Sequence, residues 1–399
     1  SVRVAGRIAG DPNARQLPRF SRVIDRVSPS VVAVVVDDGS QDIRTRVTAG
    51  GSSIRPTKCT SRRVRSVMTA VPFPAEQPPG YTWLSDEPEF DPAVHLALGE
   101  PPATRSLAEF GYTPEEIEPT ATPVAASEPF RVLSDEGAAV LLDTARRLRT
   151  YARRAGNRIE QTVRGGCYRS LFLRDLCLSP EVTDVMSAIY GIPVAPHTMP
   201  VHLGHLNYEP SEVPDAVDKW HHDTIPLDYV MIVSDPIELP GGRFEYFVGT
   251  KHEAAELAAR GERPPADRVV TPDFPGPGFA IALHGNMIVH RGASLTAPAE
   301  RITMVNAYVA LDRSRHDQSR SRDLIGIDDD ATLYAEWARH AAWRARGRLE
   351  TLIEEIGFGA GPEDAITHLE SAVEDVTRAI DDIRSGQREA EHYEREDSA

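Results

Sequence analysis

The stretch Trp220-His221-His222-Asp223-Thr224-Ile225-Pro226-Leu227-Asp228-Tyr229-Val230-Met231-Ile232-Val233 sets imidazoles and carboxylates directly before an apolar, β-branched run. Leu227 to Val233 reads as a strand, rich in residues that suit a pleated, buried surface. Five further runs share its character: Val201 to Tyr208, Arg243 to Val248, Phe279 to Leu283, Met287 to Val289 and Ile302 to Leu311. Turns rich in proline and glycine, such as 239–242 and 274–278, separate them, and a charged helical piece from Lys251 to Arg260 interrupts them. Several short strands of this kind predict an α+β chain built on a double-stranded β-helix, a jelly-roll or cupin-like core.

Helices are expected on both sides of that core. Ser134 is a good N-cap for a helix running to about Ala155, with Ala138, Leu142, Ala145, Leu148 and Ala152 on one face. Ser179, Pro180, Glu181 and Gly191 punctuate a second helix from start to end. Beyond Arg320, Ala331 to Ile356 and Pro362 to about Tyr393 carry apolar residues at helical spacing, and these C-terminal helices are the expected surface for a homodimer. Between Thr69 and about Glu128 the chain is acidic and proline-rich, which predicts little regular structure beyond a Thr113-capped turn of helix at Pro114 to Ile117. Four segments result: a basic extension 1–67, a proline-rich segment 68–129, a core with its leading helices 130–320, and a helical region 321–399.

Charge divides the chain at the same place. Residues 1–67 carry 12 Arg and one Lys against five Asp and no Glu, whereas the remainder carries 31 basic and 55 acidic side chains. The start resembles an organellar transit peptide, or else Met68 is the natural start and the preceding residues are upstream sequence. Both readings leave the chemistry after residue 67. The net charge of −16 argues against a nucleic-acid partner. Cys59, Cys167 and Cys177 are too few and scattered for a disulfide framework or a zinc-finger spacing. The longest apolar run near the start, Val31 to Val36, is far short of a membrane span. The expectation is a soluble, cytoplasmic protein with a small-molecule substrate.

The chemistry resides in His221, Asp223 and His290. Two residues one position apart on an extended segment share a face, so His221 and Asp223 converge on one ion. His222 has Thr224 at the equivalent position, so it is the neighbour of a ligand: a group supporting the metal site, a pocket residue or a surface one. Two imidazoles and a carboxylate on one face of an octahedral iron(II) leave three positions for a bidentate 2-oxo acid and dioxygen. Arg301 follows His290 by eleven residues and opens the last apolar run. Its planar guanidinium suits the distal carboxylate of 2-oxoglutarate, and Thr303 shares its face and offers a hydroxyl. Asn207 or His205 is a candidate for a hydrogen bond to that cosubstrate near the metal. Arg169 or Arg174, with Tyr168, is a candidate for holding a substrate carboxylate, and ordinary surface arginines are the alternative.

His-x-Asp, a distal histidine and an arginine on the next strand resemble the iron(II)/2-oxoglutarate-dependent dioxygenase superfamily over roughly residues 130–315. The segment from Gly241 to His252 is similar to the Gly-Gly … Pro-Gly-Ser-His segment of phytanoyl-CoA-hydroxylase-like members, with Val248 in place of the proline and Lys251 inserted before the histidine. The strings Tyr168 to Leu176, Trp220 to Thr224 and Glu300 to Met304 resemble a fungal and bacterial group that includes an aziridine-forming valine oxygenase. The resemblance implies a jelly-roll core, Fe(II), 2-oxoglutarate, O2 and a small metabolite, amino-acid-like or another small carboxylic acid. Hydroxylation of an unactivated C–H bond is the default outcome. Halogenases of this superfamily have Gly or Ala where Asp223 stands, so halogenation is not expected. The competing expectations are a non-catalytic jelly-roll binding protein and a protein hydroxylase.

Overall fold

The computed structural model describes residues 68–388 except 157, 214–215, 238 and 313–314. The basic extension and Cys59 lie outside the described residues.

Eight strands build the core: β1 (His205–Asn207), β2 (Ala216–His221), β3 (Leu227–Ile232), β4 (Phe244–Phe247), β5 (Val269–Val270), β6 (Phe279–Leu283), β7 (His290–Ser294) and β8 (Thr303–Ala310). They form two antiparallel sheets, ordered β6-β3-β8-β1 and β5-β4-β7-β2. The chain changes sheet at every connection except β4 to β5, which is the winding of a jelly roll. Strand β3 shows why the fold needs layers on both sides, since all six of its residues are buried. Its odd positions Leu227, Tyr229 and Met231 pack with Leu141, Leu148 and Phe172 from the helical layer. Its even positions Val230 and Ile232 pack with Phe244 and Tyr246 of the small sheet. Alternate side chains of one strand thus serve two cores.

Several expectations are corrected. The helix capped by Ser134 spans Asp135–Leu148 rather than reaching Ala155. After a 3-10 turn, Arg153–Ala155 pairs with Ile159–Val163, which adds to the large sheet beside β1. The ladder hydrogen bonds of a sheet edge outweigh the helical spacing of one more alanine. The run Met287 to Val289 is a turn, with the Met287 and Ile288 amides donating to the His284 carbonyl, and the strand begins at His290. The run from Val201 is broken by a 3-10 turn at Pro200–His202 and by Gly204 at φ +60°, leaving only His205–Asn207 extended. The proline-rich segment supplies Thr104–Ser106 and Val124–Ser127, which extend the large sheet past β6. Short extended pieces between prolines suit sheet edges.

The helices Pro114–Ile117, Pro180–Tyr190 and Lys251–Ala259 carry side-chain N-caps from Thr113, Ser179 and Thr250. Asp330–Glu355 docks on the core through Trp337, which is buried with Met199, Val201 and Leu324. Pro362–Ser385 packs against that helix and leaves Ile366, Leu369, Val373, Ile380 and Ile383 exposed. No described helix is long and apolar enough to cross a membrane. Cys167 and Cys177 are buried free thiols.

Candidate metal centre

β2 ends at His221 and β7 begins at His290, and the two residues are register partners across the small sheet. Past β2 the chain turns, and the Asp223 amide donates to the Gly285 carbonyl at 2.8 Å. This anchors the carboxylate opposite both rings: His221 Nε2 lies 3.5 Å from Asp223 Oδ1, and His290 Nε2 lies 3.4 Å from Oδ2. One donor atom from each residue falls within 4.8 Å of the others, the one such group of three or more among the described residues.

The tautomers follow from the backbone. His221 Nδ1 is 2.6 Å from the Lys219 carbonyl and His290 Nδ1 is 3.0 Å from the Ile288 carbonyl. A carbonyl only accepts, so each Nδ1 carries the proton and each Nε2 turns a lone pair toward Asp223. Burial, with the cationic field of Arg158, holds His221 neutral well below the ordinary imidazole range. Burial opposes ionisation of Asp223, but the positive charge around it, Arg158 included, outweighs burial and holds the carboxyl below its usual range. Two neutral imidazoles and one carboxylate are the donor set a divalent transition metal requires.

Gly285 makes this packing possible, and no sequence motif marks it. A Cβ there would stand 2.2 Å from Asp228 Oδ2, 2.9 Å from the Ile225 carbonyl and 3.1 Å from Asp223 Cβ. Asp228 lies buried behind the ligand carboxylate, and burial and Asp223 push its carboxyl well above the usual range. Gly285→Ala is expected to displace Asp223 and weaken iron(II) binding by about 10–100-fold. Titration of the apoprotein with iron(II) measures this, and an unchanged affinity would contradict it.

The triad opens into a cleft that also holds Arg301, Thr303, Asn207 and His205. Arg301 is only 3% exposed. Its Nε donates to the Gly242 carbonyl at 3.0 Å and its Nη1 to Thr303 Oγ1 at 3.0 Å. Gly242 adopts φ +64°, and a side chain there would meet Leu295 at 2.7 Å. The Gly-Gly turn is therefore what lets a backbone carbonyl reach the guanidinium. Burial lowers the pKa of Arg301 to about 10, so it stays charged at neutral pH. Its nearby acid Asp218 is raised to about 7 by burial, despite Arg158 Nε at 3.1 Å from Oδ1. A buried cation with a partly neutralised partner favours an anionic ligand. Asn207 pairs with Thr303 across β1 and β8, and its Oδ1 is buried without a hydrogen bond among the described residues. His205 Nε2 lies 2.6 Å from Thr162 Oγ1, whose own proton goes to the Leu206 carbonyl. His222 is buried but does not line the cleft.

Tyr168, Arg169 and Arg174 are not brought to the triad. The Tyr168 hydroxyl donates to Glu336 Oε1 at 2.7 Å. Arg169 stacks on Tyr81 and Tyr151, while Arg174 lies over Trp83 and pairs with Asp175. They sit on the helical side of the large sheet, where aromatic residues of the proline-rich segment cover them. Arg158 stands at the cleft instead, placed by a hairpin whose first strand the sequence reads as the end of a helix.

Fold and site together define a jelly-roll protein with a two-histidine, one-carboxylate centre. No family model matches the chain, and no curated protein matches it. Among solved structures it is similar to SnoN, described as a non-haem α-ketoglutarate-dependent epimerase from nogalamycin biosynthesis, at 18% identity over 44% of this chain and 74% of that one, with a TM-score of 0.33. EctD from S. alaskensis with bound Fe is 19% identical over 58% of this chain and 85% of its own, at TM-score 0.35. HygX from Streptomyces hygroscopicus, with nickel and 2-oxoglutarate bound, is 14% identical over 50% and 87%, at TM-score 0.35. At these scores none of them is evidence for this chain's chemistry, which rests on its own side chains.

Proposed function

We propose that the protein is a mononuclear iron(II), 2-oxoglutarate-dependent oxygenase acting on a C–H bond of a small metabolite, with hydroxylation as the simplest outcome. The observation that carries this is a buried, charged Arg301 in the same cleft as His221, Asp223 and His290. The three donors suit iron(II) and leave half of an octahedral shell for other ligands. When bound, iron and 2-oxoglutarate supply dioxygen activation, with the 2-oxo acid decarboxylated to succinate.

The chain's own groups do the rest. Lys219 and Ile288 carbonyls fix the imidazoles, so the donor atoms need no rearrangement to receive the metal. Arg301, steadied by Gly242 and Thr303, holds the distal carboxylate of the cosubstrate in the manner a guanidinium favours. Apolar Val230, Phe244 and Val305 flank the cleft and exclude water from the reacting atoms.

Anaerobic addition of iron(II) and 2-oxoglutarate is expected to produce the visible charge-transfer absorption of an iron–2-oxo acid chelate, dependent on both additions. Absence of the band in the native protein, or its full persistence in both His221→Ala and Arg301→Ala, would overturn the reading.

A further inference from the structure

A second cavity meets the first at Asp223, Arg158, His205 and Val305. Whatever occupies it therefore lies against Asp223, on a side distinct from Arg301 and Thr303, which line only the first. Its polar lining is mostly cationic, with Arg158 and Arg164 beside His202. Arg164 uses its Nε on both oxygens of Asp328 at 2.8 Å, and Asp328 is shared with Arg153, so one carboxylate answers two guanidinium groups. The Nη2 of Arg164 stands 3.4 Å from His202 Nδ1. Arginine only donates, so Nδ1 accepts and the imidazole proton is on Nε2. That Nε2 is buried and has no hydrogen-bond partner among the described residues. An orphaned buried donor beside guanidinium groups is satisfied by an acceptor that the ligand brings. The rest of the wall sets aliphatic Ala155, Ile225, Leu324 and Ile327 beside Thr224, Arg388 and Asp323, whose carboxylate is answered by Arg320 at 2.6 Å.

We propose that this second cavity is the substrate site, and that it takes a small aliphatic carboxylic acid. Its carboxylate is held by Arg158, Arg164 and His202 Nε2, and its hydrocarbon lies on Ile225, Leu324 and Ile327, on the Asp223 side of the metal site. Guanidinium groups and a neutral imidazole donor match the planar acceptor geometry of a carboxylate. The assignment rests on the iron and 2-oxoglutarate reading for what happens to the substrate, but not for the binding itself.

The test is a calorimetric titration with 3-methylbutanoate and 4-methylpentanoate, under argon. It uses protein carrying iron(II) and saturating 2-oxoglutarate, so that Arg301 is already occupied, and is repeated on the apoprotein. At least one of these acids is expected to bind, and its neutral amide to bind at least about tenfold more weakly. His202→Phe, which keeps the ring volume and removes the donor, and Arg164→Lys are each expected to weaken the acid by about tenfold. Both variants should retain the native circular dichroism and a 2-oxoglutarate affinity within about twofold of the native value. The site is overturned if neither acid binds, if acid and amide bind alike, or if both folded variants bind as the native protein does. Tighter binding of isobutyl phosphate than of either acid would overturn the carboxylate assignment. A missing charge-transfer band with His202-dependent acid binding intact would sink only the oxygenase reading.

Discussion

Replacing His290 with alanine is expected to abolish stoichiometric iron(II) binding, with affinity falling by at least about a hundredfold. The ligand set has no spare member: among the described residues, His221, Asp223 and His290 are the one group of three or more side chains positioned to share an ion. His222 is adjacent in sequence, but a one-residue shift along an extended segment turns its side chain away from the cleft. The substitution should leave the fold intact, because the His290 backbone stays paired with Tyr246 and His221 and only one ring is lost beside Phe244. Iron titration followed by metal analysis measures the effect, and exogenous imidazole should restore part of the absorption of the 2-oxoglutarate chelate. Native-like iron affinity in the folded variant would remove His290 from the site.

Arg301→Met is expected to weaken 2-oxoglutarate by about a hundredfold, as follows from losing roughly 3 kcal/mol of charge-assisted hydrogen bonding. Methionine fills most of the volume, so the loss reports on charge and donors rather than on a cavity. Iron(II) binding without cosubstrate should persist, since Arg301 belongs to β8's approach and not to the ligand set. The sharper measurement compares 2-oxoglutarate with 2-oxobutyrate, which keeps the chelating end and lacks the distal carboxylate. The variant should bind 2-oxobutyrate within about twofold of the native protein. An equal loss for both acids would mean that Arg301 holds the cleft's shape and not the distal carboxylate.

Much of the core was legible because strand and helix signals are local. Leu227 to Val233 and Phe279 to Leu283 carry apolar, β-rich composition between turn residues, and each forms a strand within a residue of its expected bounds. Ser179-Pro180-Glu181 with Gly191 bounds a helix through its own caps, which need no distant partner. Local signals misled where a distant strand competed for the same backbone. Arg153–Ala155 left the helix for a ladder with Ile159–Val163, and the proline-rich segment supplied sheet edges that composition alone did not announce. Met287 to Val289 has strand composition but closes a turn, because the chain must place Gly285 against Asp223 and start β7 at His290.

The substrate side shows the same division. Arg169 and Arg174 are the arginines the sequence offers for a substrate carboxylate, yet aromatic rings claim both. Arg158, Arg164 and His202, which carry no motif, reach the cavities. Nothing in their spacing relates them, since the hairpin and the 3-10 turn that bear them converge only in the packed sheet.

By itself the sequence determined the ligand types, the alternation that makes His221 and not His222 the partner of Asp223, and the cation at Arg301, since each follows from covalent chemistry or from the period of an extended chain. The tertiary structure alone decided that His290 stands across from His221, that carbonyls of Lys219 and Ile288 set both tautomers, and that Gly285 leaves room for two carboxyls. It also decided which arginines face the pocket. Those outcomes depend on contacts between residues far apart in the chain, and on burial, which no local pattern encodes.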